Sequence, residues 1–377
     1  MTGGLQRVAL WIGALGVLLI LSSTLFGAQY YPSYLYSYVF WTGISLGSLG
    51  LLMVHHLTGG RWGALIRRPL ETALTPLPLM ALLFIPIVFG LHELYPWVRP
   101  EEIAHNALLQ EKLWYLNVPF FLLRTVGYFV LWLGLAYRLG KWSDWRDGSQ
   151  RAGEAMRWSA GGLIVLVLSA SFAAIDWIMT LTPEWYSTLF GLRVGLSQTL
   201  GAMGFVTLSA LLLSRRDSAL DSTSPEHWQD LGNLLLMFVL AWVYLIFMQF
   251  ITVWIADIPE EITWYLPRTR TSWDIFGWVL VLLYFVAPFV MLLSRRAKRN
   301  RFALGFIALI ILCAYWADML WLVMPSFRKQ GVELHWADFA AFFGIGGLWC
   351  TVFLWRLAAR SVVAHQAVGA RESVGHG

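Results

Sequence analysis

The sequence contains few charged residues. Asp, Glu, Lys and Arg make up 13% of the 377 residues, whereas hydrophobic residues make up 58%. Soluble globular domains carry roughly 25% charged residues, so the composition argues against a soluble domain. The formal net charge of +5 does not indicate a nucleic-acid partner, because the basic residues alternate with long apolar runs.

Cysteine and histidine are also scarce. Cys313 and Cys350 are the two cysteines and both lie in apolar runs, which argues against a disulfide framework or an iron–sulfur cluster. No CxxCH motif for covalent haem attachment occurs. A b-type haem needs histidines deep inside facing helices, but the eight histidines lie at predicted helix ends, in loops or in the tail. We predict that the chain binds no metal and no haem.

Long hydrophobic runs are abundant. Apolar windows recur about ten times, and each is long enough to cross ~30 Å of hydrocarbon. The first resembles a signal peptide, but it is nearer to a full span of ~20 residues than to an h-region of ~7–15, so we predict a retained helix. The sequence thus predicts an all-α integral membrane protein with one polytopic domain over 1–377. The windows lie near 8–26, 34–57, 75–94, 117–139, 158–180, 187–214, 229–256, 273–294, 301–324 and 336–358, followed by a tail at 359–377.

The basic residues are divided unequally between the two sides of the predicted membrane. Every second connection, together with the two tails and adjoining helix ends, carries 19 Lys and Arg, whereas the other connections carry 6. The positive-inside rule makes the basic side cytoplasmic. Both termini are therefore predicted to be cytoplasmic, as an even number of spans requires.

Two segments of the sequence resemble each other and indicate an internal repeat. AIDWIMTLTPEW (174–185) and YWADMLWLVMP (315–325) each place an aspartate, Asp176 or Asp318, seven residues before a proline. The two aspartates fall on the fifth and ninth predicted spans. This spacing predicts two four-helix bundles, made of spans two to five and six to nine, with one flanking helix at each end. The predicted boundaries are 34–180 and 187–324 for the bundles and 8–26 and 336–358 for the flanking helices.

The ionisable residues of the predicted spans collect near the outer surface of the membrane. At 1.5 Å per residue, Asp176 and Asp318 lie roughly 8–10 Å inside the outer boundary. His335 and Asp338 are three residues apart and are expected to share a helix face. Similar depths are predicted for the remaining polar candidates, which are Arg124, Tyr128, Arg193, Gln249 and His92.

This polar set has two interpretations. In the first, arginine–aspartate pairs neutralise each other and fix the packing of the helices. In the second, the set handles protons or binds a ligand head group, since intramembrane charge is functional by default. Arg124 and Tyr128 share a helix face, as do Arg193 and Ser197, so a charge and a hydroxyl lie together as in a water-lined cavity.

Several stretches together resemble a known family. They are FWTGISLGSLGLLMVHHLTGGRWG (40–63), IDWIMTLTPEWYSTLFG (175–191), WIADIPEEITWYLPR (254–268), FVMLLSRRAKRN (289–300) and HWADFAAFFGIGG (335–347). They are similar to the F subunit of alternative complex III, a bacterial quinol:electron-acceptor oxidoreductase. That subunit belongs to the NrfD-like, or polysulfide-reductase membrane-subunit, superfamily, whose core is two four-helix bundles.

The resemblance implies partners that the residues alone do not indicate. They are a second, paralogous membrane subunit, an extracytoplasmic iron–sulfur subunit, haem c subunits and small membrane subunits, together with lipid and quinone. It implies the bacterial cytoplasmic membrane as the location and quinone or menaquinone as the bound cofactor, with none attached covalently. It also implies a role in respiratory or photosynthetic electron transfer.

Together, the resemblance and the outer polar set imply a membrane subunit of a quinol-oxidising complex that contributes a quinone-type cavity, a proton pathway, or both, in the outer leaflet. Asp176, Asp318, Asp338 and His335 are the predicted proton relay. The predicted quinone-binding residues are Arg124, Tyr128, Arg193, Gln249 and His92. One alternative is a purely structural scaffold of that complex. The other is a secondary transporter, which the outer position of the polar set disfavours because transporters bind substrate near the midplane.

The orientation can be tested by cysteine labelling in a variant without Cys313 and Cys350. We expect Gly148→Cys, in the predicted cytoplasmic loop at 140–157, to react with a membrane-impermeant maleimide only after cells are permeabilised. Glu102→Cys, in a predicted outer loop, should react in intact cells. Labelling of Gly148→Cys in intact cells would overturn the predicted topology.

Overall fold

The computed structural model describes residues 2–23, 30–143, 149–214 and 224–374, and its regular elements within these ranges are all helical. Nine helical segments of this part are long and apolar enough to cross a membrane, so the chain is a multi-pass membrane protein. They are Tyr30–Thr58, Leu65–Phe89, Val118–Gly140, Gly153–Leu181, Phe190–Ser214, Pro225–Ala256, Trp273–Leu293, Arg301–Ser326 and Trp336–Ala359.

The individual helices are more numerous than the spans, because some spans are interrupted and short helices cover the loops. In chain order they are α1 (Thr2–Ser23), α2 (Tyr30–Thr58), α3 (Arg61–Ala73), α4 (Leu77–Leu82), α5 (Ile85–Phe89), α6 (Leu91–Leu94), α7 (Pro100–His105), α8 (Ala107–Lys112), α9 (Val118–Ser143), α10 (Ser149–Trp177), α11 (Phe190–Ser214), α12 (Pro225–Ala256), α13 (Pro259–Ile262), α14 (Leu266–Thr269), α15 (Trp273–Val281), α16 (Ala287–Leu293), α17 (Arg295–Arg299), α18 (Arg301–Val323) and α19 (Trp336–Val374).

The third span differs from the prediction at 75–94. It runs over Leu65–Phe89 and is divided into α3, α4 and α5. Pro78 and Pro86 lie in the first turns of α4 and α5, where a missing backbone N–H costs no helical hydrogen bond. A proline in the interior of a helix, in contrast, kinks or breaks that helix. His92 and Glu93 consequently lie on α6, a separate helix of four residues, and not at the end of a span.

The two predicted flanking helices have different outcomes. The first, at 8–26, overlaps α1, which is not among the nine candidate spans of the described ranges. Residues 24–26 lie outside those ranges, so a tenth span at 8–26 stays a prediction. The last begins at Trp336 as predicted. Its helix, α19, continues to Val374, so most of the predicted tail at 359–377 is helical, and residues 375–377 are outside the described ranges.

Helix α2 is the central helix of the molecule. In its most apolar window 83% of the residues are buried, compared with 22% for the span Trp273–Leu293, which lies at the periphery. Glycines let its neighbours approach closely. A Cβ on Gly47 would lie 2.3 Å from the carbonyl oxygen of Gln198 in α11, and one on Gly43 would lie 2.1 Å from the hydroxyl of Tyr315 in α18.

The contact between α1 and α19 also depends on glycine. A Cβ added to Gly16 would lie 2.1 Å from the Cα of Gly344, and one added to Gly347 would lie 2.3 Å from the backbone nitrogen of Gly13. The two backbones therefore touch directly, as small residues spaced along helices allow in membranes.

The side of the molecule opposite the basic connections, which we call the outer side, carries most of the short helices. The connection from α5 to α9 contains α6, α7 and α8, and the connection from α12 to α15 contains α13 and α14. These segments pack over the outer ends of the long helices. The buried Trp97, between α6 and α7, packs on Phe121 of α9, and the buried Trp264 of the second connection packs on Trp321 of α18.

A valine at position 347 is expected to separate α1 from α19, because a Cβ there would lie 2.3 Å from the backbone nitrogen of Gly13 in α1. Overpacking of this kind costs about 1–3 kcal/mol or more, so the thermal unfolding midpoint of Gly347→Val should fall in detergent. Gly127→Ala is the control, since nothing lies within 4 Å of a Cβ at Gly127. An unchanged midpoint for Gly347→Val would contradict the close approach of the two helices.

Candidate functional site

Asp176 accepts four hydrogen bonds near the outer end of α10. Arg124 donates from Nε to Oδ2 at 2.8 Å and from Nη2 to Oδ1 at 3.0 Å. The hydroxyl of Tyr115 donates to Oδ1 at 3.0 Å, and that of Tyr128 donates to Oδ2 at 2.8 Å. Asp176 is fully buried, and both of its oxygens are satisfied by one cation and two hydroxyls.

The local sequence brings these donors together. Arg124 and Tyr128 are one turn apart on α9 and face α10, as their common bonds to Asp176 require. Tyr115 precedes α9, and its backbone carbonyl accepts a hydrogen bond from Arg124 Nη1 at 3.0 Å. Burial, followed by the neighbouring charge of Asp176, raises the pKa of Tyr115 above its ordinary value. The Tyr115 hydroxyl therefore remains protonated and donates to the carboxylate.

Asp318 forms a second buried pair, near the outer end of α18. Arg193 of α11 donates from Nη2 to Oδ1 at 2.7 Å, and the hydroxyl of Ser197 donates to Oδ2. Ser197 is held in turn by Trp242, whose Nε1 donates to the serine hydroxyl at 2.8 Å. Tyr284 donates to the Ser197 carbonyl at 3.1 Å. Tyr284 lies in a π-helical turn at Leu282–Val286, and such turns frequently occur at functional sites.

Asp338 forms a third pair, whose cation was not predicted from the sequence. Arg328, in the connection before α19, donates from Nη1 to Oδ2 at 2.7 Å and from Nη2 to Oδ1 at 2.9 Å. Ser33 of α2 donates to Oδ1 at 2.6 Å. Hydropathy places Arg328 in a loop, and its burial against Asp338 depends on how that loop folds back. The signal available in the sequence was Asp338 itself, an acidic residue near the start of a predicted helix to which no basic partner had been assigned.

His335 does not share a helix face with Asp338, because α19 begins after it at Trp336. Its backbone N–H donates to Asp338 Oδ2 at 2.8 Å, and its ring Nδ1 accepts from the backbone nitrogen of Ala337 at 3.3 Å. This is the arrangement of a capping box, in which the residue before a helix and the third residue within it satisfy backbone N–H groups of the first turn. His335 is therefore a helix cap in this structure.

Two further predicted residues lie apart from the three pairs. His92 is exposed on α6, with its Nδ1 3.9 Å from Glu93. Gln249 is buried on α12, and its Nε2 has no hydrogen-bond partner among the described residues. Neither hydrogen-bonds to Asp176, Asp318 or Asp338 in the described part of the chain.

Two cavities open near the outer end of the molecule. One, of about 230 Å³, lies beside Tyr115, and its walls are mainly apolar. The other, of about 490 Å³, lies among the outer connections and is lined mainly by polar groups. The residues around the smaller cavity are Lys112, Trp114, Tyr115, Leu116, Ile175, Met179, Thr180, Pro183, Trp185 and Tyr186.

No protein-family model and no curated protein matches this chain. Within the described ranges, no group of three or more His, Cys, Asp and Glu side chains is placed to hold a metal ion.

Breaking one buried pair is expected to destabilise the protein more than removing it altogether. Arg124→Gln leaves the buried Asp176 charge without a cation, and the loss of one partner costs about 3–5 kcal/mol. The double variant Arg124→Gln/Asp176→Asn should recover most of this loss, as measured by the free energy of unfolding in detergent.

A surface pair provides the control for this measurement. Arg61 lies 3.0 Å from Asp230 and is 60% exposed, so Arg61→Gln should cost less than about 1 kcal/mol. If the single variant Arg124→Gln and the double variant were equally unstable, the charge of Asp176 would not be the cause.

Proposed function

We propose that the chain is a membrane subunit of a quinol-oxidising electron-transfer complex, and that it binds the quinone head group beside Tyr115. The observation that carries this proposal is the position of Tyr115. Its hydroxyl donates to the buried Asp176, and its side chain lines the smaller outer cavity. One residue thus joins an apolar cavity to a buried carboxylate.

The cavity fits the chemistry of a quinone. A quinone head group is a flat apolar ring with polar oxygens at opposite edges, so it needs apolar walls and few polar contacts. Trp114, Trp185 and Tyr186 provide aromatic walls, and Tyr115 provides a hydroxyl. Trp114 and Tyr186 are 77% and 67% exposed, so the cavity is accessible from outside the helix bundle.

The proposal divides the reaction between this chain and its partners. Oxidation of a quinol releases electrons and protons, and a positioned side chain that accepts a proton contributes to the rate. Here Tyr115 would hydrogen-bond the quinol oxygen, and Asp176 would receive the proton through the tyrosine hydroxyl. The electrons would pass to a redox centre of a partner protein, which the resemblance implies is an extracytoplasmic iron–sulfur protein.

The arrangement of the pairs favours a scaffold as the second candidate function. Arg124 uses three of its five N–H donors on Asp176 and on the Tyr115 carbonyl, so most of its hydrogen bonds lie within the pair and its surroundings. Asp318 and Asp338 are likewise bound to arginine and to hydroxyl donors. In the scaffold alternative, these pairs only fix the outer surface on which partner proteins assemble.

Tyr115→Phe separates the two functions, because it removes the hydroxyl and keeps the ring. In the quinol proposal, turnover of the purified complex with quinol should fall about a hundredfold, as for the loss of a group that assists proton transfer. The protein composition and the thermal midpoint should remain near those of the native complex.

Two tyrosines serve as comparisons. Tyr128→Phe also removes one hydrogen bond from Asp176 but leaves the cavity lining intact, so its effect on turnover should be much smaller. Tyr95→Phe removes a buried hydroxyl that donates to the Trp177 carbonyl, and turnover should not change. Equal turnover of the Tyr115→Phe and Tyr128→Phe complexes would favour the scaffold function.

A further inference from the structure

Arg268 differs from the other buried arginines at the outer end of the molecule. Arg124, Arg193 and Arg328 are each almost completely buried, and each contacts an aspartate. Arg268 is only 2% exposed, yet no carboxylate of the described residues lies within salt-bridge distance. It lies on α14, in the connection between α12 and α15.

The contacts of Arg268 hold its guanidinium in place without neutralising it. Nη1 donates to the carbonyl of Trp264 at 2.6 Å, and Nη2 donates to the carbonyl of Leu322 at 3.0 Å. The guanidinium carbon lies 3.6 Å from the ring centre of Trp264 and 5.2 Å from that of Trp321. Nε is buried and has no hydrogen-bond partner in the described chain.

The charge at this position cannot be removed by deprotonation. Burial, together with the nearby charge of Arg193, lowers the pKa of Arg268, which shows that the charged form is disfavoured there. A guanidinium nevertheless remains protonated in proteins, unlike a lysine, which neutralises when buried. A buried charge without a counter-ion is costly, so an anion that reaches Arg268 would stabilise the protein.

A cleft connects Arg268 with the outer surface. Its volume is about 490 Å³, which is within the range of small-molecule sites. Arg99 also lines it, and Arg99 Nε is a second buried donor without a partner among the described residues. The charged residues that line the cleft are Arg99, Arg268, Lys329, Glu93, Glu102 and Glu184.

The acidic residues of the cleft limit the charge of a ligand. Glu102 lies 3.5 Å from Arg99, and Glu184 accepts a hydrogen bond from Asn106 at 2.8 Å. The lining carries as many acidic as basic side chains, so it has no excess of positive charge to neutralise an anion with two or three charges. A group with one negative charge and two oxygens matches the edge of a guanidinium.

We propose that this cleft is a carboxylate-binding site, in which the buried Nε–H of Arg268 and the Nε–H of Arg99 are the donors. The site takes a monocarboxylate, either as a free molecule or as the carboxylate of a partner chain that docks on the outer surface. Tyr115 is not part of this site, and the proposal of a carboxylate site does not depend on quinol oxidation.

The test is a titration of the purified full chain with sodium acetate and sodium benzoate at neutral pH, against sodium chloride at equal ionic strength. We expect both carboxylates to raise the thermal unfolding midpoint by several degrees, with saturation, and Arg268→Gln to abolish the rise. Arg270→Gln is the matched control, because Arg270 is exposed two residues further along the same connection. Its response should equal that of the unmodified chain.

A second variant covers the case in which Arg268→Gln does not fold. Arg99 is 34% exposed, so Arg99→Gln should fold, and losing one charged hydrogen bond of ~1.5–3 kcal/mol should raise the apparent dissociation constant about tenfold or more. The proposal would be overturned if the unmodified chain did not respond to the carboxylates. It would also be overturned if the Arg268→Gln and Arg99→Gln variants responded as the unmodified chain does. A stronger response to phosphate than to acetate would overturn the assignment of a monocarboxylate.

The same titration on the purified complex identifies the source of the carboxylate. If a partner chain provides it, the isolated chain should respond to acetate and the complex should not. If the natural ligand is a free molecule, both should respond. Either result, with dependence on Arg268, supports the site, and neither depends on whether Tyr115 takes part in quinol oxidation.

Discussion

The pairing of buried arginine with buried aspartate fixes the outer end of this molecule. A charge among apolar helices is stable only beside an opposite charge, and removing one partner strands the other at a cost of about 3–5 kcal/mol. Arg124 and Asp176 therefore hold α9 against α10, and Arg193 and Asp318 hold α11 against α18. Arg328 ties an outer connection to α19 through Asp338. The two cavities near the outer surface lie at the end of the molecule where these pairs join the helices.

The two aspartates that the sequence pattern makes equivalent have different surroundings. The arginine of Asp176 comes from α9, the preceding long helix, whereas that of Asp318 comes from α11 and is distant in sequence. Two tyrosine hydroxyls complete the first network, and Ser197, supported by Trp242, completes the second. The same spacing of aspartate and proline thus occurs with two different sets of hydrogen-bond partners, because the spacing specifies the carboxylate and not the residues that bind it.

Hydropathy predicted most of the spans because a helix that crosses a bilayer must be long and apolar whatever its neighbours are. It was wrong for the third span, where prolines divide the helix and shift its ends. The partners of the aspartates were only partly predictable. Arg124 and Arg193 lie within apolar windows and stand out, but Arg328 and Arg268 lie in connections, whose burial depends on tertiary packing. Spacing predicted a shared face for His335 and Asp338, and the start of α19 excludes it.

A paired carboxylate is a poor proton carrier while its pair is intact, because a proton on Asp176 would leave Arg124 without its counter-charge. In the proposed reaction, a proton that Asp176 receives through Tyr115 would therefore have to leave the carboxylate again for the pair with Arg124 to be restored. Of the side chains that donate to the Asp176 carboxylate, which are those of Arg124, Tyr115 and Tyr128, Tyr115 alone is among the described lining of the smaller cavity. The Asp318 network instead leads from Ser197 to Trp242, which is buried. The position of Tyr115 in the lining of the smaller cavity, and not the carboxylate by itself, distinguishes the first aspartate from the second as a candidate place for chemistry.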